Sequence, residues 1–234
     1  MSGNEHDDGF MARRIAARRS VNEIDSNMRR DESERAAFFN AVYERAHGDP
    51  AFVPWADLEP KPQLVDYLKA NPGKGRRAID IACGLGDNAE ALADAGYATS
   101  AFDLAHDAID WAKKRFPDTK VDYRVANLIE PPEDWVNGFD LVNECYTLQS
   151  VPPEMLDAMI PATANLVAPG GTLLVYTRVR SDGAQADGPP WPLRESDALR
   201  FAALGMELVE KTEFDNRRPD RTIPHWFCVW RKKA

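Results

Sequence analysis

Asp80, Gly84, Gly86, Asp87 and Asp103 fall within one stretch, residues 78–105, AIDIACGLGDNAEALADAGYATSAFDLA. An apolar run ends in a Gly-rich loop, a helical pattern follows, and Asp103 closes a second apolar run. Gly84-Leu-Gly86-Asp-Asn-Ala89 fits G-x-G-x-x-G/A, a loop whose glycines admit a nucleoside ligand while a later acid receives its ribose. A dinucleotide would bring a pyrophosphate, which wants backbone N–H groups and a helix N-terminus with carboxylates kept away. Here Asp80 lies just before the loop and Asp87 within it. These acids oppose a pyrophosphate and suit a nucleoside that carries positive charge.

S-adenosylmethionine has that pattern: an ammonium, a sulfonium and a single carboxylate beside an adenosine. On this reading the loop Ala82-Cys83-Gly84 to Asn88 faces the methionine portion, and Asp80 holds the ammonium through water or backbone amides. Gly84 and Gly86 let the chain approach closely, and the helix starting near Asp87 offers N–H groups to the carboxylate. Asp103 accepts the two hydroxyls of either cofactor's ribose, so it does not discriminate. An NAD-dependent oxidoreductase therefore remains the alternative, although no Tyr/Lys or His/Asp hydride-transfer set is recognisable. A non-catalytic nucleoside-binding module is a third class.

The elements that must position these residues alternate. The pattern predicts strands over 77–82, 97–102, 120–125, 139–145 and 172–178, with helices over 86–95, 105–115 and 153–167 between them. Such alternation implies an α/β fold, a doubly wound, mostly parallel sheet covered by helices on both faces. After a helix over 195–204, MELVEKTEF and PHWFCVW are separated only by the charged turn DNRRPDRT. With no room for a crossover they must form an antiparallel hairpin at the sheet edge, giving seven strands. Ahead of the core, residues 1–70 read as a helical extension or lid and residues 71–234 as the core domain. Within the extension, Ser33 is expected to cap a helix over 34–47, 63–70 to form a short helix, and GDPAFVPWADLEPKP to connect them.

At 234 residues and 44% hydrophobic, the chain can bury one substantial core. Its net charge of −9 would repel polyanions. The dense basic cluster Arg13, Arg14, Arg18, Arg19, Arg29 and Arg30 is interleaved with acids, which suits a solvated helix or mobile lid better than a nucleic-acid surface. Cys83, Cys145 and Cys228 lie far apart without C-x-x-C spacing, which predicts neither a metal site nor a disulfide framework and points to a reducing cytoplasm. A polar, acidic N-terminus and the lack of a long apolar run predict no export signal and no membrane span.

Taken together these motifs resemble the class I S-adenosylmethionine-dependent methyltransferases over residues 77–232. The first motif appears as Asp80-Ile-Ala82-Cys-Gly84-Leu-Gly86, with Ala82 in place of the first glycine. The resemblance puts Asp103 on the ribose, Leu104 beside the adenine, and Asn127 and Leu128, in VANLIEPP, near the adenine amino group. An acid is frequent in the family where Asn127 stands, and an amide oxygen can accept the same hydrogen bond. GFDLV, LVAPGGTLLV and the terminal hairpin complete the order. VPWADLEPKPQL and GPPWPL look most like the small-molecule enzymes near the thiopurine and tellurite-resistance methyltransferases. The resemblance implies S-adenosyl-L-methionine as cofactor, S-adenosyl-L-homocysteine as product, and a nitrogen, sulfur or oxygen acceptor on a small molecule.

Methyl transfer from a sulfonium is an in-line displacement, so the protein mainly aligns the acceptor and excludes water. The segment NECYTLQSVPP, at the carboxyl end of the fourth strand, should face the transferred methyl. Glu144 is expected near the methionine moiety, with Tyr146 positioning the acceptor and Thr147 on the same wall. Trp55 and Trp191, on Pro-rich loops, and Phe39 and Tyr43, on the preceding helix, are candidate acceptor contacts. Arg178 is expected to pair with a surface acid, His225 to be structural, and Cys83 to serve as packing. The acceptor's identity and the oligomeric state are not written in these patterns.

Overall fold

The structure is a computed structural model that describes residues 9–10, 13–14, 17, 32–186, 188–217 and 222–234. Helices α1 (Glu32–Ala46) and α2 (Pro62–Ala70) precede the sheet. The core then runs β1 (Arg77–Ile81), α3 (Asp87–Asp94), β2 (Ala98–Asp103), α4 (His106–Arg115), β3 (Asp122–Val125), β4 (Phe139–Cys145), α5 (Leu156–Leu166) and β5 (Val167–Arg180). It ends with β6 (Leu193–Arg194), the short α6 (Glu195–Ala198), β7 (Met206–Arg217) and β8 (Thr222–Lys232). The strand order is β3-β2-β1-β4-β5-β8-β7, with β6 paired to β5. This is the doubly wound α/β sheet expected from the alternation.

Side chains alternate across the sheet as period two demands. Ile79, Ile81, Phe102, Val142, Leu173 and Val175 pack on the layer containing α5, Trp135 and Phe201. Ala78, Leu141 and Leu174 pack on the opposite layer with Leu64 and Leu68 of α2 and Leu92 of α3. Ala89, Ile109 and Ala112 bring α3 and α4 onto the same side over β2 and β3. Both faces are covered, which is why the central strands read as continuous apolar runs.

Several boundaries differ from the sequence expectation. The hairpin is antiparallel, but β8 inserts between β5 and β7, so only β7 occupies the edge. APGG does not precede the fifth strand as a loop; it lies inside β5, where the pairing with β4 shifts register between Phe139 and Leu141. Between these pairs β4 advances from Phe139 to Leu141 while β5 advances from Val167 to Thr172, so β5 takes up the extra residues as an irregularity and stays continuous. The pair β6 to β5 adds an eighth strand. The helix expected over 195–204 is one α turn followed by a 3-10 segment, Arg200–Leu204. The helix expected over 153–167 opens with a 3-10 turn, Pro153–Met155. Helix α1 already includes Ser33, so that residue is not its cap. Among the described residues no helix is long and apolar enough to cross a membrane.

The turn from β1 into α3 is built on left-handed backbone: Ala82 at φ 49°, Gly84 at φ 53° and Gly86 at φ 92°. A Cβ on Gly86 would meet the Tyr123 hydroxyl oxygen at 2.4 Å, whereas one on Gly84 would meet nothing closer than 3.5 Å. Gly86→Ala combines the left-handed penalty with overpacking and should cost about 2–4 kcal/mol. Gly84→Ala should cost about 1–2 kcal/mol, from the left-handed penalty alone. Urea denaturation of the two variants checks the ranking, and equal losses would contradict the close approach at Tyr123.

Candidate active site

A cavity of about 1420 Å³ opens at the carboxyl ends of β1, β2, β4 and β5. That is where ligands sit in open α/β sheets. Its volume exceeds the roughly 300–1,000 Å³ of a typical single-ligand pocket, so it has room for a donor and an acceptor side by side.

On the donor side, Asp103 is the joint between two loops. Its Oδ2 accepts from the Gly84 N–H at 3.0 Å and its Oδ1 from the Ala105 N–H at 3.0 Å. The carboxylate thus fastens the first loop to the end of β2 while lining the cavity. Ala82, Cys83, Gly84, Asp87, Asn88, Leu104, Asn127 and Leu128 line it as well. Gly86 does not; it caps α3 and packs on Tyr123. Asp87 contributes less charge than the sequence argument assumed, because Arg115 of α4 grips it from both guanidinium nitrogens at 2.7 and 2.8 Å. Asn88 accepts from the Lys61 backbone N–H at 3.0 Å, tying α3 to the opposite wall. The Asn127 oxygen takes the Ile129 N–H at 3.1 Å.

Asp80 and Glu144 lie behind the wall and do not line the cavity. Asp80 is 1% exposed and accepts from Asn143 Nδ2 at 2.7 Å; Glu144 is fully buried and accepts the Thr147 and Leu148 N–H groups at 2.7 and 3.0 Å. The second oxygen of each has no hydrogen-bond partner among the described residues. Burial pushes both carboxyls up to about 7, and each carries a repulsive contribution from neighbouring acids, Asp103 and Asp87 for Asp80 and Asp80 for Glu144. Burial also raises Asp103. Orphaned, mutually repelling acids beside a cavity form a site short of a cation, and a sulfonium with an ammonium supplies one. The residues present therefore fit S-adenosylmethionine.

The acceptor side is aromatic and basic. Tyr146 holds φ 67°, a strained backbone for a bulky residue, and its ring stands 5.1 Å from that of Tyr176. Lys61 lies 4.7 Å over the Tyr146 ring and Arg178 lies 5.6 Å from it. Lys61 in turn pairs with Asp57, which Arg14 also meets at 2.9 Å. Phe38, Phe39 and Tyr43 of α1 roof the cavity with Trp55, whose indole N–H donates to the Tyr43 hydroxyl at 2.9 Å. Thr147 lines the wall and its hydroxyl donates to the Ile81 carbonyl at 3.2 Å. Trp191 is not on the cavity. It packs with Phe38 and Val42 while Pro189 and Pro190 face inward.

Arg178 lines the cavity beside Tyr146 instead of serving only a surface acid. His225, 1% exposed, is hydrogen-bonded to Tyr146. Lys61 and Tyr176 carry much of the wall and were not singled out from the sequence. Tyr176 and Arg178 follow the period-two spacing of β5, a signal that was available. The pairing of His225 with Arg178 across β5 and β8 depends on register, which was not. Of the helical extension or lid expected over residues 1–70, residues 1–31 fall largely outside the described residues; of the described ones there, Gly9, Phe10, Arg13 and Arg14 line the cavity.

Comparison with known proteins agrees with this geometry. Residues 78–171 match the family model of a methyltransferase domain. A ubiquinone biosynthesis O-methyltransferase of Xanthomonas campestris pv. campestris (strain B100) is 34% identical over 128 residues, 53% of this chain and 53% of that protein. The chain spans about half the length of such relatives. Burkholderia thailandensis 1,6-didemethyltoxoflavin-N1-methyltransferase, solved with 1,6-didemethyltoxoflavin and S-adenosylhomocysteine, superimposes with a TM-score of 0.66 at 16% identity, covering 88% of this chain and 92% of that one. TehB from Haemophilus influenzae gives 0.63 at 16% identity, covering 80% and 67%. At these identities the structural likenesses speak to the fold alone.

The raised carboxyls have a consequence for the ligand-free protein. Because Asp80 and Glu144 rise from ordinary values of 3.8 and 4.5 to about 7, the folded state holds protons that the unfolded state has released across that window. Stability contributed by these groups is present at low pH and is lost as pH climbs from about 4 to about 7. Asp80→Asn with Glu144→Gln should flatten that fall. Urea midpoints across the window check it, and an unchanged slope would mean that both acids are already charged.

Proposed function

We propose that this chain, whose residues 78–171 match a methyltransferase domain, is a class I S-adenosylmethionine-dependent methyltransferase that transfers a methyl group from this donor to a small-molecule acceptor. The observation that carries the reading is the pair of buried acids with orphaned oxygens, Asp80 and Glu144, behind a cavity wall on which Asp103 stands. Asp103, a buried carboxylate clamped by the Gly84 and Ala105 amides at the cavity edge, is a preformed receiver for a ribose. Gly84, Asn88, Leu104, Asn127 and Leu128 complete the donor half, and Asp80 and Glu144 supply negative potential from behind it. When bound, the donor supplies an electrophilic methyl on a positively charged sulfur.

The chain's own residues bind, orient and dry the site. Tyr146, held at φ 67°, presents its ring to the acceptor half together with Thr147. Phe39, Tyr43 and Trp55 cover that half and exclude water. On this reading the described part of residues 1–70, α1 and the Trp55 segment, acts as the roof and residues 71–234 as the core. The similarity to ubiquinone biosynthesis O-methyltransferases supports an oxygen acceptor. The net charge of −9 argues against a polyanionic partner. The three free cysteines fit a reducing cytoplasm.

Calorimetric titration with S-adenosylhomocysteine and, separately, NADH tests the reading. Binding of the former is expected; binding of NADH alone would sink it. Asp103→Ala should weaken S-adenosylhomocysteine about tenfold to a hundredfold, the equivalent of roughly 1.5–3 kcal/mol of charge-assisted hydrogen bonding. Unchanged affinity would mean that the ribose lies elsewhere. Arg14 donates to the Pro54 carbonyl at 3.0 Å and joins Asp57 and Lys61 on the cavity rim, so the N-terminal arm touches the acceptor wall. Deleting residues 1–31 should therefore lower methyl transfer by about tenfold or more while shifting Tm by only a few degrees. Full activity after deletion would leave the arm outside the site.

A further inference from the structure

The acceptor wall contains a hydrogen-bonded chain that general packing does not require. Tyr146 Oη lies 2.9 Å from His225 Nε2, and His225 Nδ1 lies 2.7 Å from the Ile223 carbonyl oxygen. A carbonyl can only accept, so Nδ1 carries the proton and Nε2 is the acceptor. The Tyr146 hydroxyl therefore donates to Nε2. The imidazole is locked in this orientation, with Phe214 stacked 5.3 Å away at 23° and His225 only 1% exposed. Asn216 Nδ2 stands 3.2 Å from the same nitrogen, and by rotating its amide it can face either the bare or the protonated Nε2.

Resting on the methyltransferase reading, we propose that Tyr146 and His225 form a proton relay that activates a weakly acidic hydroxyl, so that the acceptor class is a phenol-type alcohol. As the acceptor's O–C bond forms and the bond from sulfur to methyl breaks, the hydroxyl proton passes to Tyr146 Oη and the tyrosine's own proton to His225 Nε2. The positive charge lost at sulfur reappears on the imidazolium, which the Ile223 carbonyl holds. Tyr146 is the catalytic group that touches the acceptor, and His225, acting through it, is a positioning residue.

The charged and titratable groups around the pair define its electrostatics. They are Lys61, paired with Asp57, from the segment before α2, Cys145 beside Tyr146 at the end of β4, and Tyr176 and Arg178 from β5. Lys61 and Arg178 favour an oxygen that gains negative charge as its proton leaves, which suits a phenolic hydroxyl and disfavours a cationic amine. A thiol already ionised at neutral pH would have no use for the relay.

The test compares catechol and thiophenol as acceptors, with labelled donor, in the wild-type protein, Tyr146→Phe and His225→Asn. Each variant should lower kcat for catechol by about a hundredfold, with KM changed less than threefold, and lower transfer to thiophenol by a factor at least about tenfold smaller than that. The rising limb of the pH profile with catechol should disappear in His225→Asn. In the ligand-free wild-type protein, 15N NMR should find His225 protonated on Nδ1, with an Nε2 resonance that moves in Tyr146→Phe. If His225→Asn does not fold, Tyr146→Phe carries the same comparison. Equal losses with both acceptors, an unaltered catechol rate, no transfer to catechol despite S-adenosylhomocysteine binding, or the Nε2–H tautomer would each overturn the relay. Failure of S-adenosylhomocysteine to bind the wild-type protein would overturn the donor reading and the relay with it.

Discussion

The constraint on which the site depends is the concentration of carboxylates at the carboxyl ends of three adjacent parallel strands. Asp80 on β1, Asp103 on β2 and Glu144 on β4 are all buried, and their charges repel one another in a medium that screens poorly. Each is tolerated because it does a second job. Asp103 gathers the Gly84 and Ala105 amides, Glu144 gathers Thr147 and Leu148, and Asp80 takes the Asn143 amide. The same hydrogen bonds that satisfy the acids therefore shape the three loops that wall the cavity.

This arrangement links stability and ligand affinity. The acids hold the loops in place whether or not a cation is near, yet their unpaired oxygens leave electrostatic energy unrealised until one arrives. A ligand with fixed positive charge gains from that potential without any rearrangement of the walls, which is preorganisation in its simplest form. The cost falls on the ligand-free protein, whose acids retain protons that free carboxyls would have released.

Across the cavity the sign of the potential reverses. Lys61 and Arg178 flank Tyr146, and the Asn88 oxygen on α3 holds the Lys61 backbone, so the two halves are mechanically joined. On the proposed reading a cationic donor would be drawn to one half and an electron-rich acceptor to the other, which would orient the two before they react. The strained backbone at Tyr146 fits this picture. The fold maintains an unfavourable φ at the residue that faces the junction, and the Glu144 cap beneath it helps to hold the loop there.

Much of the donor half was legible from sequence because it is local. A strand, a Gly-rich turn, a helix and a second strand ending in an acid are contiguous between residues 78 and 105, and short-range sterics make that order meaningful without knowledge of the rest. Even there, the sequence alone overstated Asp87, whose charge is met by Arg115 from the next helix, and it drew Gly86 toward the ligand when Tyr123 is what requires it. The acceptor half was largely illegible. Lys61, Tyr146, Tyr176 and His225 come from four segments, and His225 reaches Tyr146 only because β8 inserts antiparallel beside β5 in one register. A shift of one residue would turn His225 to the other face. The amino-acid pattern determined the α/β alternation and the Gly-rich turn between β1 and α3, because these follow from local backbone geometry and neighbouring residues. Which side chains meet across the sheet, and so which groups can share a proton, was decided by long-range strand pairing and packing alone.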